Sequence, residues 1–213
     1  VYVDDCYGVD SWTAPKYVVD VGAQIGSFAR RVHDTHPEAR IVCVEPNPDN
    51  HEVLRHNVCG LAEVAHEAIA YERGQLVSTV YPGTDNTGGS WITRDPPVGS
   101  RVHRIERVTL AAIVERAKFP WVDVLKLDCE GCELGVLENE AHFIREWVNR
   151  IVMEIHNRDA LRPIWQAHYR DWTVRELRGG HMPLVEWVNV RQRPRPSARN
   201  IVQDAMAREA ALR

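Results

Sequence analysis

Lysine is scarce in this chain: of 26 basic residues, three are lysines, Lys16, Lys118 and Lys126. The arginine excess reads as a bias of genome composition rather than as chemistry. With a formal charge of −4 and a pI near 6.2 there is no basic surplus to attract a polyanion, so nucleic acid is not the expected partner. No apolar run approaches the ~20 residues that cross a bilayer, and no signal-peptide pattern opens the sequence, so no membrane partner is expected. The cysteines number five, an odd and scattered set that suits a reducing compartment better than a disulfide framework. The expected location is cytoplasmic. Internal repeats and linkers are also missing, and 213 residues suit one domain able to bury roughly 70% of its unfolded surface.

What is present is organised around residues 17–30. The β-branched run Val18, Val19, Val21 reads as a buried parallel strand, and Gly22 and Gly26 punctuate the turn into an amphipathic helix. Gly22 suits a backbone angle closed to other residues, and Gly26 lets the helix approach a ligand or the strand closely. The helix start then points unpaired N–H groups at the crevice where open α/β sheets bind ligands. Twenty-three residues past Gly22, a second strand, Ile41 to Val44, ends at Glu45 and is followed by Pro46-Asn47-Pro48. An acid at that strand tip is placed to accept both hydroxyls of a ribose. The glycines read G-x-x-x-G, without the G-x-G-x-x-G that cradles a pyrophosphate. A ribose site without a diphosphate cradle points to S-adenosylmethionine as cofactor.

The remaining chain predicts an alternation of strands and helices. Residues 1–16 are expected to form a short helix or lid, and a helix from about Asp49 to Cys59 starts at Pro48. A third strand is expected near Ala62 to Ala70, then a β-hairpin from Gln75 to Tyr81 with which Arg101 to Val108 pairs. The turn-rich stretch Pro82 to Ser100 is a candidate active-site loop that orders on binding, its glycines being Gly83, Gly88 and Gly89. Thr109 caps a helix to about Ala117, Trp121 to Asp128 is the fourth core strand, and a helix follows from Glu133 to Val148. Ile151 to His156 forms strand five. A helical region is expected from Leu161 to Leu177, ending at Gly179-Gly180. Pro183–Val190 and Asn200–Gln203 would supply two final strands around an Arg191–Arg199 loop, before a terminal helix. The pattern is α/β, a mostly parallel doubly wound sheet with an antiparallel terminal hairpin strand and a small inserted β-hairpin.

Lys126, Asp128 and Glu130 alternate along strand four, as do Glu154 and His156 on strand five. Charges so placed are costly unless they pair or meet a ligand. A methyl acceptor such as a hydroxyl needs a base nearby, and His156, with an ordinary pKa of about 6.5, is the first candidate, ahead of Asp128 and Glu130. Glu154 stands beside it to orient the ring.

Val-Val-Asp-Val-Gly-Ala-Gln-Ile-Gly, Val-Glu-Pro-Asn-Pro, Leu-Lys-Leu-Asp-Cys-Glu-Gly-Cys-Glu and Glu-Ile-His together resemble the FkbM family of S-adenosylmethionine-dependent methyltransferases, over about residues 17–203. The resemblance implies a Rossmann-like methyltransferase fold that acts on oxygen of a sugar or other specialised metabolite. It implies a cofactor set of Asp20, Gly22, Ala23, Gln24 and Gly26 in the first loop, Glu45, Pro46 and Asn47 after strand two, Ala68 and Ile69, and Asp128. The catalytic set is His156, Asp128, Glu130 and Glu154, with no metal. The expected partner is a small-molecule hydroxyl acceptor, with a homo-oligomer or a biosynthetic complex left open. A nucleotide-dependent oxidoreductase and a non-catalytic module of a larger synthase are the alternatives.

Cys129 and Cys132 depart from the family pattern. As Cys-x-x-Cys they suit redox chemistry or half a zinc site, but no second Cys/His pair stands at ligand spacing, and packed free thiols are the expectation. Asp95-Pro96-Pro97-Val98 precedes strand four and is read as a turn. Trp91, Trp165, Trp172 and Trp187 are assigned to the core by default.

Overall fold

The computed structural model describes residues 5–71, 76–80 and 90–190, the segment 76–80 by its backbone. The expected strand at Asn200–Gln203, the terminal helix, the loop before them and the glycines at 83, 88 and 89 lie outside the described residues.

The strands in chain order are β1 (Tyr17–Val21), β2 (Arg40–Val44), β3 (Glu63–Ala65), β4 (Ala68–Ile69), β5 (Leu76–Val80), β6 (Trp91–Thr93), β7 (Arg101–Ile105), β8 (Arg107–Val108), β9 (Val124–Leu127), β10 (Arg150–Glu154), β11 (Thr173–Arg178) and β12 (Leu184–Val188). The helices are α1 (Ser27–Thr35), α2 (Pro48–Asn57), α3 (Leu110–Arg116), α4 (Cys132–Asn139), α5 (Ala141–Trp147) and α6 (Arg158–Ile164). A seven-stranded sheet runs β11-β12-β10-β9-β1-β2-β3. Strands β3 to β10 in that row are parallel, whereas β12 pairs antiparallel with β10 and β11 with β12. The strand order reverses between β1 and β9, which opens a crevice at their carboxyl ends.

Alternation along the central strands divides the interior in two. Val19, Val21, Leu125, Leu127, Ile151 and Met153 join the core beneath α3 to α6. Val18, Val124 and Val152 turn to the other face, against Phe28, Val32 and Leu54 of α1 and α2. Tyr7, Val9 and Trp12 pack into this second core around a short 3-10 turn at Val9–Ser11. The described part of the N-terminal segment is therefore built into the core rather than laid over the site as a lid.

The local signals at several helix starts hold. Asn47 caps α2 by accepting from the amides of Asp49 and Asn50, Pro48 opens it, and Thr109 caps α3 through Ala112. Trp172 and Trp187 are buried in the first core, with Trp165 packed against it. The turn expected at Asp95–Val98 falls slightly later, at Pro97–Ser100, closed by Ser100 N donating to Pro97 O at 3.0 Å.

Three expectations need correction. The helix expected over Glu133–Val148 is two, broken at Glu140, whose carboxylate turns to accept from the amides of Leu110 and Ala111 at α3. The helical region expected to Leu177 stops earlier: α6 passes into a π-turn at Trp165–Tyr169, and Thr173–Arg178 is the edge strand β11. The terminal hairpin is therefore β11–β12, joined through Gly179-Gly180. The third strand is divided between sheets, β3 extending the main one and β4 pairing with β8. The inserted hairpin is enlarged, with β5 flanked by β6 and β7, which bears out the pairing expected of Arg101 onward.

Gly26 is needed for packing between helices. Its φ is 90°, and a Cβ there would meet Val58 Cγ1 at 2.8 Å and Leu54 Cδ1 at 2.9 Å. Strain and overpacking together predict that Gly26→Ala lowers stability by about 2–4 kcal/mol, read from denaturant midpoints. An unchanged midpoint would show that α1 and α2 can separate without cost.

Candidate active site

A cleft opens at the β1/β9 reversal, with about 490 Å³ of empty space when its open mouth is included. Gly22, Gln24, Glu45, Pro46, Asn50, Ala68, Ile69, Ser90, Asp128, Cys129, Glu130 and Cys132 are on its wall. Eight of them are sequence candidates for the site and Ser90 belongs to the candidate loop Pro82–Ser100; Asn50 and the two cysteines carry no assigned role there.

Glu45 forms one end. It is 4% exposed. Its Oε2 accepts from Gln24 N at 2.8 Å, and its Oε1 accepts from Asn47 N at 2.8 Å. Gln24 adopts φ 50° to present that amide. Oε1 also accepts from Asn50 Nδ2 at 3.4 Å, so of the two oxygens it is Oε2 that keeps room for a hydroxyl. Burial raises the Glu45 pKa to about 7, against the pull of the Asn47 and Gln24 amides.

The glycine loop crosses the floor. A Cβ on Gly22 would stand 1.8 Å from the Asp128 carbonyl oxygen, so no side chain is tolerated where the two strand ends meet. Asp20 lies below this floor, fully buried, with Lys126 Nζ at 3.0 Å from its Oδ1. The same ammonium donates to the Gly22 carbonyl at 2.7 Å. Burial opposes the charge on Lys126, but the neighbouring carboxylates of Asp20 and Asp128 outweigh it and raise its pKa. Asp20, Ala23, Gly26 and Asn47, expected as cofactor contacts, are therefore not on the cleft wall: they shape the loop or the helix start from behind.

The opposite end is acidic. Asp128 Oδ2 accepts from the Tyr7 hydroxyl at 2.6 Å. Burial pushes this carboxyl up, but Lys126 and the Tyr7 bond outweigh it and leave the pKa lowered. Glu130, with φ 54° and a side chain 37% exposed, opens to the cleft. Glu133 closes the turn, its two oxygens accepting from Cys129 N at 2.9 Å and Gly131 N at 3.0 Å. No sequence signal beyond its position in the motif marked Glu133, and nothing marked Tyr7, 121 residues away from Asp128 in the chain.

His156 does not line this cleft. It lies past the end of β10, in a smaller neighbouring cavity with Glu133 and Glu154. Its Nδ1 is 3.1 Å from Glu133 Oε1 and its Nε2 is 3.5 Å from Glu130 Oε2. The bond to Glu133, opposed by burial and reinforced by the charges of Glu133 and Glu130, raises its pKa to about 9. A raised pKa runs against the neutral imidazole expected of a base at pH 7. Glu154, 2.9 Å from Arg178, is raised by burial and by Asp128. Asp128, Glu154 and His156 can each bring one ligand atom within 4.8 Å of the others. Cys129 and Cys132 are joined as a disulfide, against the expectation of packed free thiols.

A seven-stranded sheet of this order with a glycine loop facing an acid at the next strand tip defines a Rossmann-like methyltransferase. The Methyltransferase FkbM domain matches residues 20–172, and the chain belongs to that family. Over 214 aligned residues it is 26% identical to Methyltransferase sdnD of Sordaria araneosa, covering 80% of this chain and 78% of that one. It is 23% identical to the AMB antimetabolite synthetase AmbE of Pseudomonas aeruginosa, covering 83% of this chain and 10% of that protein. Among solved structures, precorrin-6y C5,15-methyltransferase from Geobacter metallireducens shares the fold with a TM-score of 0.51 at 13% identity, over 86% of this chain and 84% of that one. No described helix is long and apolar enough to cross a membrane.

The cofactor of this class is S-adenosylmethionine, and the residues present fit it. Glu45 Oε2 keeps accepting capacity for a ribose hydroxyl, Ala68 and Ile69 offer an apolar wall to a base, and the side-chain-free floor at Gly22 leads to acids suited to the sulfonium and the α-ammonium group. Ribose hydroxyls donate best to the ionised carboxylate, so binding favours deprotonated Glu45. With a pKa of about 7, affinity for S-adenosylhomocysteine rises with pH and is about tenfold weaker at pH 6 than above pH 8. Calorimetry across that range tests this, and Glu45→Gln abolishes the dependence while weakening binding by about 2–4 kcal/mol. A flat profile in the wild type removes Glu45 from the ribose site.

Proposed function

We propose that this methyltransferase acts on a hydroxyl of a small metabolite, with Glu130 as the group that takes the proton. The observation that carries the reading is the placement of Glu130: it opens to the cleft at the end opposite Glu45, with one oxygen facing His156 at 3.5 Å. S-adenosylmethionine supplies an electrophilic methyl group on a sulfonium. A hydroxyl is too weak an acid to ionise beforehand, so Glu130 accepts its proton as the O–C bond forms. Burial and the charges of Asp128, Glu133 and Glu154 raise the Glu130 pKa, against the pull of His156, and so strengthen it as a base. Asp128, pinned by Tyr7 and Lys126, keeps a fixed negative charge beside it. His156 is a positioning residue that restrains Glu130 and Glu133.

The absence of a basic surplus and the likeness to a protein named an antimetabolite synthetase both support a small-molecule acceptor. The same likeness supports work beside or within a biosynthetic assembly. S-adenosylhomocysteine release over a panel of hydroxylated metabolites identifies the acceptor, and Glu130→Gln then lowers kcat by about 10²–10⁴ with cofactor affinity near normal. His156→Gln keeps more of the rate than Glu130→Gln does. If instead the histidine variant is inert and Glu130→Gln is unaffected, the imidazole is the base. Chelator leaves the rate unchanged; inhibition reversed by a divalent ion would assign Asp128, Glu154 and His156 as its ligands.

A further inference from the structure

We infer that Cys129 and Cys132 form a thiol–disulfide exchange site in the cleft wall, whose redox state sets the geometry of the reacting end and which takes a dithiol as co-reactant. This rests on the reading of the cleft as the cofactor site. The two sulfurs are bonded, with the Cα atoms 5.5 Å apart, whereas Cys6, Cys43 and Cys59 are free. Both members of the pair line the cleft, so a reductant reaches them from the ligand side.

The bond spans Glu130 and Gly131, both held in left-handed conformations at φ 54° and 107°. A non-glycine residue adopts that conformation only where its surroundings enforce it, and here the enforcing elements are the covalent closure and Glu133. The closure also bears on the floor, because Gly22 lies so close to the Asp128–Cys129 backbone that a Cβ on it would stand 1.8 Å from the Asp128 carbonyl oxygen and 3.1 Å from the α-carbon of Cys129. Opening the bond therefore loosens Glu130 and the floor together. Charge favours the closed form. A thiolate at either cysteine would face Asp128, Glu130 and Glu133, whereas the disulfide is neutral.

The exchange balances with one dithiol. Its thiolate attacks Cys129 Sγ, the Cys129–Cys132 bond breaks, and the Cys132 thiolate leaves at the first position of α4, where the helix start stabilises it best. The second thiol of the reductant then displaces Cys129. Two electrons and two protons have moved to the cysteine pair, and the reductant departs as its own disulfide. A bound cofactor shields the sulfurs and slows the exchange.

The test uses the full chain oxidised with glutathione disulfide or reduced with dithiothreitol. Alkylation and mass mapping count the thiols, calorimetry measures S-adenosylhomocysteine, and amide exchange is followed over residues 128–134. The oxidised form is expected to protect Cys129 and Cys132, bind at least fivefold more tightly and exchange those amides more slowly. Cys129→Ser/Cys132→Ser should match the reduced form and ignore redox state, whereas Cys59→Ser should respond as the wild type does. Failure of the pair to oxidise overturns the inference. So does equal affinity of the two forms, or a redox response that survives in the double variant. If neither form binds S-adenosylhomocysteine, the cofactor reading fails by itself; slower exchange in the oxidised form then still upholds the switch, and equal exchange overturns it.

Discussion

The buried pair of Lys126 and Asp20 is the constraint on which the site depends. The register of β1 against β9 sets the two side by side, Asp20 opposite Lys126, in the middle of an otherwise apolar face. Two charges are costly there unless each is fully engaged, and removing either partner of such a pair costs about 3–5 kcal/mol. The ammonium is engaged beyond its partner, since it also donates to Gly22 O and lies 5.9 Å from the ring centroids of Tyr7 and Phe28. It therefore ties four separate pieces of chain to one point: the end of β1, the end of β9, the start of α1 and the N-terminal segment. Its arrangement is structural in location and functional in effect, because what it immobilises is the floor of the cleft.

Above that floor the two ends of the cleft are built by different means. At the Glu45 end, backbone amides from two loops fix a single carboxylate, and its burial leaves the charge barely retained at neutral pH. A ligand that brings a further donor shifts that balance towards the ionised form. At the other end, several acids crowd together and their mutual repulsion is moderated by cations placed outside the cleft, His156 on Glu130 and Glu133 and Arg178 on Glu154. The surplus is negative on the side that a cationic group would approach.

What the sequence made legible follows from how far each signal reaches along the chain. Gly22 and Glu45 are recognisable because a strand, a tight turn and the next strand tip recur at a fixed spacing, and both positions line the cleft. Gly26 carries the same signal but serves the packing of α1 on α2, a distinction that spacing does not encode. The strand β11 was hidden because its residues are mostly exposed at a sheet edge, so the alternation that marks a half-buried strand is missing and pairing with β12 decides its conformation. The break at Glu140 was hidden because its cause lies in the unpaired amides of α3, some 30 residues away in the chain.

His156 shows why residue type alone is a poor guide to a base. The motif places it at the right strand, and its ordinary pKa is the one most suited to proton transfer at neutral pH. Yet β10 ends at Glu154, two residues short of it, and the chain turns there into the Asn157 cap of α6. There the ring meets the carboxylates of Glu130 and Glu133, which raise its pKa. A protonated imidazole has no lone pair to offer, but it can hold carboxylates in place. The same contacts support the proposal of Glu130 as proton acceptor, since it is the member of the cluster that combines cleft exposure with a raised pKa. On that proposal the base sits on the short turn from Glu130 to Glu133, and the covalent bond between Cys129 and Cys132 closes that same turn.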